Sequence, residues 1–153
     1  MLRGLHLLTL AVWAAAAFRV QLSLWRGGRA AETPQGLAVR RRLQPWLAAE
    51  HVGLALALAS GYALTRLLGW GLGHARWFGV KLGLVAFLVV PLEGMHAYIC
   101  HVWIARGLLQ TREPPFSKDL LRGIGMEEMV RTLELPLLGI GVPLLVWLSV
   151  AQP

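Results

Sequence analysis

The stretch WFGVKLGLVAFLVVPLEGMHAYICHVW, residues 77–103, is apolar over most of its length. A helix crosses a bilayer in about 20 apolar residues, and this run is long and apolar enough to do so. Yet it carries Lys81, Glu93, His96 and His101. An ionisable group at the bilayer centre costs about 3 kcal/mol or more, so such residues face a bundle interior and mark a paired network or a functional site.

Three further apolar runs flank this one, at about residues 5–25, 46–68 and 129–150. With 56% hydrophobic and 15% charged residues in 153, the chain has too little polar surface for a water-soluble domain of its size. The expected architecture is all-α, a single integral membrane domain in the form of a four-helix bundle. The N-terminal MLRGLHLLTLAVWAAAA has the charge and apolar core of a secretory signal, but the apolar run continues through FRVQLSLW, so a retained first helix is expected.

The connections RGGRAAETPQGLAVRRRLQP (26–45), GWGLGHAR (69–76) and RGLLQTREPPFSKDLLRGIG (106–125) are rich in glycine, proline and charge. The middle one is short and implies a hairpin between the second and third helices. Most Lys and Arg lie in the first and third connections, which by the positive-inside rule puts both termini on the non-cytoplasmic side of a bacterial inner membrane. The net charge of +7 is therefore concentrated in membrane-flanking loops, a pattern that argues against a nucleic-acid partner. Tryptophans 25, 46, 70, 77, 103 and 147 fall near helix ends, as an interfacial belt requires.

Helical rise sorts the buried charges into two layers. His6 and Lys81 lie near the non-cytoplasmic face. Arg19, Glu50, His51, Glu93, His96 and Glu134 lie toward the other. Glu93 and Glu134 are short side chains that need a partner, and Arg19 or Arg131 is the expected one. Glu50, His51 and His101 are placed near helix ends, at the interface, and His74 in a solvated loop. Glu93, His96 and Cys100 share one helix face, at i, i+3 and i+7. Glu-x-x-His is half of the carboxylate di-metal signature of helical bundles, with Glu50 and Glu134 on neighbouring helices, but the second copy that the signature needs is missing. Cys100, the lone cysteine, excludes a disulfide framework.

Several short motifs resemble the HemJ-type protoporphyrinogen IX oxidase family over nearly the whole chain, with more distant similarity to copper-resistance D-type membrane proteins. They are LHLLTLAVW with His6 and Trp13, RRLQPW followed by Gly61, WFGVKL with Trp77 and Lys81, and ELP with Glu134 and Pro136. The resemblance implies a small four-helix membrane protein that binds heme b and oxidises protoporphyrinogen IX to protoporphyrin IX. His6 and Lys81 are then the residues at the cofactor, His6 as the iron ligand with His96 as the alternative, and Lys81 and Glu134 are the candidate catalytic residues. The chain departs from the family pattern at Gly79 and at Leu92 and Glu93, where histidine is usual, and at Leu133, where asparagine is usual.

Neutral imidazole is a common axial ligand for heme iron, and an ammonium can pair with a porphyrin propionate. No Gly-x-Gly-x-x-Gly motif for flavin or nicotinamide follows a strand, so electrons would leave through heme to a quinone or a redox protein partner. Two other classes stay open: a non-catalytic subunit of a larger membrane redox complex or oligomer, and a copper-handling protein using Met95, His96 and Cys100.

Overall fold

Thr33 and Pro34 start the longest helix of the first half of the chain well before the apolar run that announces it. Thr33 Oγ1 accepts the backbone N–H of Gly36 at 3.1 Å, and Pro34 occupies the first turn, where no N–H is required. The second helix therefore begins at Pro34 and not near Trp46, and Pro45, which reads as a start signal, lies inside it. In the same way Ser117 Oγ accepts the Leu120 N–H at 3.2 Å and starts the fourth helix at Lys118, ahead of the expected Met129. The connections shrink accordingly, and Glu50 and His51 move from a helix end to a helix middle.

The computed structural model describes residues 1–28, 33–70, 76–110, 116–141, 143, 144 and 147. Among these the chain is all-helical, with no strand. Helix α1 spans Leu2–Ser23 and runs on through a wide π turn at Leu24–Gly28. Helix α2 is Pro34–Leu67, α3 is Arg76–Gln110, and α4 is Lys118–Pro136, extended by a π turn at Leu137–Gly141. His74, Arg29, Arg112 and much of the far end of the expected fourth crossing lie outside the described residues. Three helices, Leu2–Arg26, Pro34–Leu67 and Arg76–Gln110, are long and apolar enough to cross a membrane.

Helix α2 ends in a Schellman motif. Gly69 takes φ +67°, its N–H bonds to Arg66 O at 3.2 Å, and the Trp70 N–H bonds to Thr65 O at 3.0 Å. Trp70 then packs edge-on against Trp77 and Phe78 at the start of α3, with ring centroids 5.8 and 5.5 Å away. Within α3, Pro91 has no N–H to give to the carbonyl four residues back, and the preceding turn, Val85–Val89, is widened to π geometry. A second π turn, Ile99–Ile104, follows the polar stretch of this helix.

Helices α1 and α2 pack along a line of small residues, Gly53, Ala57 and Gly61, spaced four apart. A Cβ at Gly53 would sit 3.0 Å from the Trp13 backbone nitrogen, and one at Gly61 would sit 3.0 Å from His6 Cε1. Helix α4 meets α3 equally closely. A Cβ at Gly107 would lie 2.8 Å from Leu120 Cδ1 and 2.9 Å from Leu120 Cβ, whereas Gly125 on α4 has nothing within 4 Å. Gly107→Ala is expected to cost about 1–3 kcal/mol by overpacking. Gly125→Ala should instead stabilise, by about 0.5–1 kcal/mol, through helix propensity alone. Denaturant titration in detergent measures both.

The polarity of the packed helices is reversed relative to a water-soluble protein. Arg40, Glu50, Glu93, His96, Glu127, Arg131 and Glu134 are buried, while Phe18, Phe87, Leu7, Leu8 and Val52 stand exposed. An exposed apolar surface of this extent needs a covering.

Candidate functional site

A polar core sits where α1, α2, α3 and α4 meet, and its hub is Arg131. This α4 guanidinium donates from Nε to Glu127 Oε1 at 3.2 Å, from NH1 to Gln21 Oε1 on α1 at 3.1 Å, and from NH2 to His96 Nε2 on α3 at 3.0 Å. The same NH2 lies 3.9 Å from Glu50 Oε2 on α2. One side chain thus ties all four helices together. Glu127 is shared with Arg40 of α2 through a charge-assisted hydrogen bond, and the Cys100 thiol lies 3.8 Å from its other oxygen.

An arginine N–H can only donate, so His96 Nε2 accepts and the ring proton resides on Nδ1, which faces Glu134 Oε1 at 3.3 Å. His96 is wholly buried, with one nitrogen against a guanidinium and the other against a carboxyl. That enclosed ring presents no open face to a large planar cofactor. His51 stands beside it, ring centroids 5.1 Å apart, and its Nδ1 is 3.0 Å from Nε2 of the exposed His101. Within this core Glu50 Oε2, Glu93 Oε2 and His51 Nε2 are buried without a hydrogen-bond partner, and Glu134 Oε1 and His96 Nδ1 lie close to each other without hydrogen-bond geometry.

The pairing of Glu93 and Glu134 with Arg19 is not what the structure has. Arg19 is exposed, and its guanidinium stacks over Trp46, 4.6 Å from the ring centroid. It lines a cavity of about 360 Å³ with Ser23, Arg26, Arg42 and Trp46. Arg19 lies on the face of α1 that points away from the core, and Gln21 reaches Arg131 in its place. Glu50 and His51 do not lie near a helix end, because α2 begins twelve residues before Trp46. The sequence expectation missed Glu127 and Arg40 as core residues, since Arg40 fell in a segment read as a connection and Glu127 just ahead of the expected start of the fourth helix. The Ser117 and Thr33 caps are the signals that would have found them.

The Glu93, His96, Cys100 face does turn inward as its spacing predicts: all three are buried. Glu50, Glu93, His96 and Glu134 also come together, but with a guanidinium among them. Met95 is 41% exposed and stands away from His96 and Cys100, so the three soft donors considered for copper do not converge.

His6 belongs to a second, separate site on α1 and α2. Its Nδ1 lies 3.0 Å from the Ala57 carbonyl oxygen and 3.1 Å from Ser60 Oγ. A carbonyl can only accept, so Nδ1 carries the proton and Nε2 keeps a lone pair. The half-buried ring fits against Gly61, where a Cβ would sit 3.0 Å from Cε1 and press on it. Lys81, on α3, is half-buried and within electrostatic reach of His6. Glu134 is not part of this layer; its neighbours are His96, Glu93, Glu50 and Arg131. Compared with protein-family models, curated proteins and solved structures, the chain matches none.

Proposed function

We propose that this is a multi-pass bacterial inner-membrane protein that binds heme b through His6 and serves an oxidase reaction of the protoporphyrinogen IX type. The observation that carries the reading is the His6 geometry. A metal-binding imidazole commonly donates its second nitrogen to a carbonyl or carboxylate, which fixes the tautomer and leaves the other lone pair for the metal. Donation from Nδ1 to the Ala57 carbonyl does this for His6, and Gly61 leaves the ring its room.

His6 would hold the iron through its free Nε2, and Lys81 would supply the cation that a propionate calls for. A heme held there contributes one-electron chemistry, with a quinone or redox protein as the outlet. Lys81, within electrostatic reach of His6, orients an anionic tetrapyrrole substrate by charge. Glu134 serves the inner polar core and not the substrate layer, so the catalytic pair of the sequence reading separates into two roles.

The surrounding lipid bilayer covers the apolar exterior, with four crossings and both termini non-cytoplasmic. The exposed Arg26, Arg41, Arg42, Arg106, Lys118 and Arg122 gather at one end of the helices, as positive-inside orientation requires. A reduced-minus-oxidised optical spectrum of the purified protein tests the reading. A b-type band is expected in the wild type and in His101→Ala, and its loss in His6→Ala. A heme-free wild type, or full heme in His6→Ala, rejects it, and turnover of a porphyrinogen decides whether the chain is the enzyme or a heme-binding subunit of a larger complex.

A further inference from the structure

The four buried carboxyls of the polar core, Glu50, Glu93, Glu127 and Glu134, face two buried guanidiniums, Arg40 and Arg131. Glu127 accounts for its own charge by bonding to both arginines. The other three carboxyls each keep an oxygen with no hydrogen-bond partner, and each is at least 97% buried. Burying an uncompensated carboxylate costs far more than protonating it. Four negative charges against two positive ones leave the core two positive charges short, and protons are the cations small enough to reach it through packed side chains.

A route for them is laid out from the surface inward. His101 on α3 is exposed, and its Nε2 lies 3.0 Å from His51 Nδ1. His51 turns its other nitrogen, Nε2, into the core, buried and without a partner. His51, Glu93 and His96 bring one side-chain donor atom each within 4.8 Å of one another, a gap that one water or one rotamer change spans. His96 bounds the route and does not relay along it, since its Nε2 accepts from Arg131 while its Nδ1–H faces Glu134 Oε1 at 3.3 Å, and Glu134 lies within electrostatic reach of Glu93. Arg131 looks onto this group from α4, and the Leu47 carbonyl onto His51 from its own helix.

We propose that Glu50, Glu93 and Glu134 form a proton-holding site in the membrane core, loaded and unloaded from the protein surface through His101 and His51. In the loading step His51 Nδ1 takes a proton from His101 Nε2 and releases its own from Nε2 to the Glu93 carboxylate. His101 gives that proton as an imidazolium, having first taken one from water at Nδ1, so one N–H bond forms and one breaks at each ring, both imidazoles end neutral, and a ring flip of each restores the starting tautomers. No oxidant or further reactant is required. The site is independent of a heme at His6, and the test below does not need one.

Infrared spectra of the protein in lipid films, followed on transfer from H2O to D2O, read the protons directly. A carbonyl band of protonated carboxyl is expected, diminished in Glu93→Gln and in Glu134→Gln, that shifts as its proton exchanges. His51→Phe is expected to slow that shift at least tenfold with its amplitude retained, and His101→Ala to slow it several-fold. His101 is exposed, so His101→Ala carries the test alone if His51→Phe does not fold. Absence of the band, its persistence at full strength in both glutamine variants, or an unchanged exchange rate in the histidine variants overturns the proposal. Loss of heme without change in the band would overturn the His6 reading alone.

Discussion

Arg131→Met is expected to lower the stability of the folded protein by about 3–5 kcal/mol, the cost of breaking a buried ionic network by removing one partner. Methionine matches the length and volume of the aliphatic stem, so the loss is electrostatic. It strands Glu127 Oε1, Gln21 Oε1 and His96 Nε2 at once, and those acceptors stand on three different helices. It also removes one of two cations from a core already short of positive charge. Glu50→Gln should therefore recover part of the loss in the Arg131→Met background, with a coupling of about 1–3 kcal/mol. Denaturant titration of the four proteins in one detergent measures the cycle. A loss below about 1 kcal/mol for Arg131→Met, or strict additivity with Glu50→Gln, would show that Arg131 is not the hub.

The second large effect is expected at Arg40, in a run of three arginines that the sequence does not distinguish. Arg40 is 3% exposed and bonds to Glu127, with Glu128 Oε1 3.6 Å away, whereas Arg42 is exposed. Residues on a helix advance about 100° each, so three consecutive arginines cannot share a face. Arg40→Leu should cost about 3–5 kcal/mol, since it leaves Glu127 buried with half its compensation. Arg42→Leu should stay within about 0.5 kcal/mol. Equal, small effects at both positions would mean that the Arg40–Glu127 pair contributes nothing net. Arg40→Leu combined with Glu127→Leu tests the pair further. That double change removes both charges of the pair but leaves Arg131 without Glu127, so its cost is expected to remain above that of Arg42→Leu.

These two residues also mark where a linear reading of the chain stops. That helices one to three are long, apolar and interrupted by short turns is a property of local composition, and the first three runs are legible as such. The inward face carrying Glu93, His96 and Cys100 follows from helical periodicity alone. The paired layer of His6 and Lys81 follows from helical rise, which is a length and needs no knowledge of neighbours. Helix starts were less legible because the cap residues, Thr33 and Ser117, lie in polar stretches whose glycine, proline and charge resemble loops. A two-residue cap outweighs that composition, since it satisfies backbone donors that water would otherwise have to serve.

Which charges neutralise which was legible only as far as naming Arg131 beside Arg19 as a candidate partner. Arg19, Arg40 and Arg131 are alike as residues, yet one stacks on Trp46, one binds Glu127 and one joins four helices. The assignment depends on how each helix is rotated about its axis, and that rotation is set by close packing at Gly53, Gly61 and Gly107. Composition and period by themselves determined that this chain folds as apolar helices with charges turned inward. Only tertiary packing decided their partners, because a salt bridge forms at a few ångströms while hydrophobicity acts over a whole helix face.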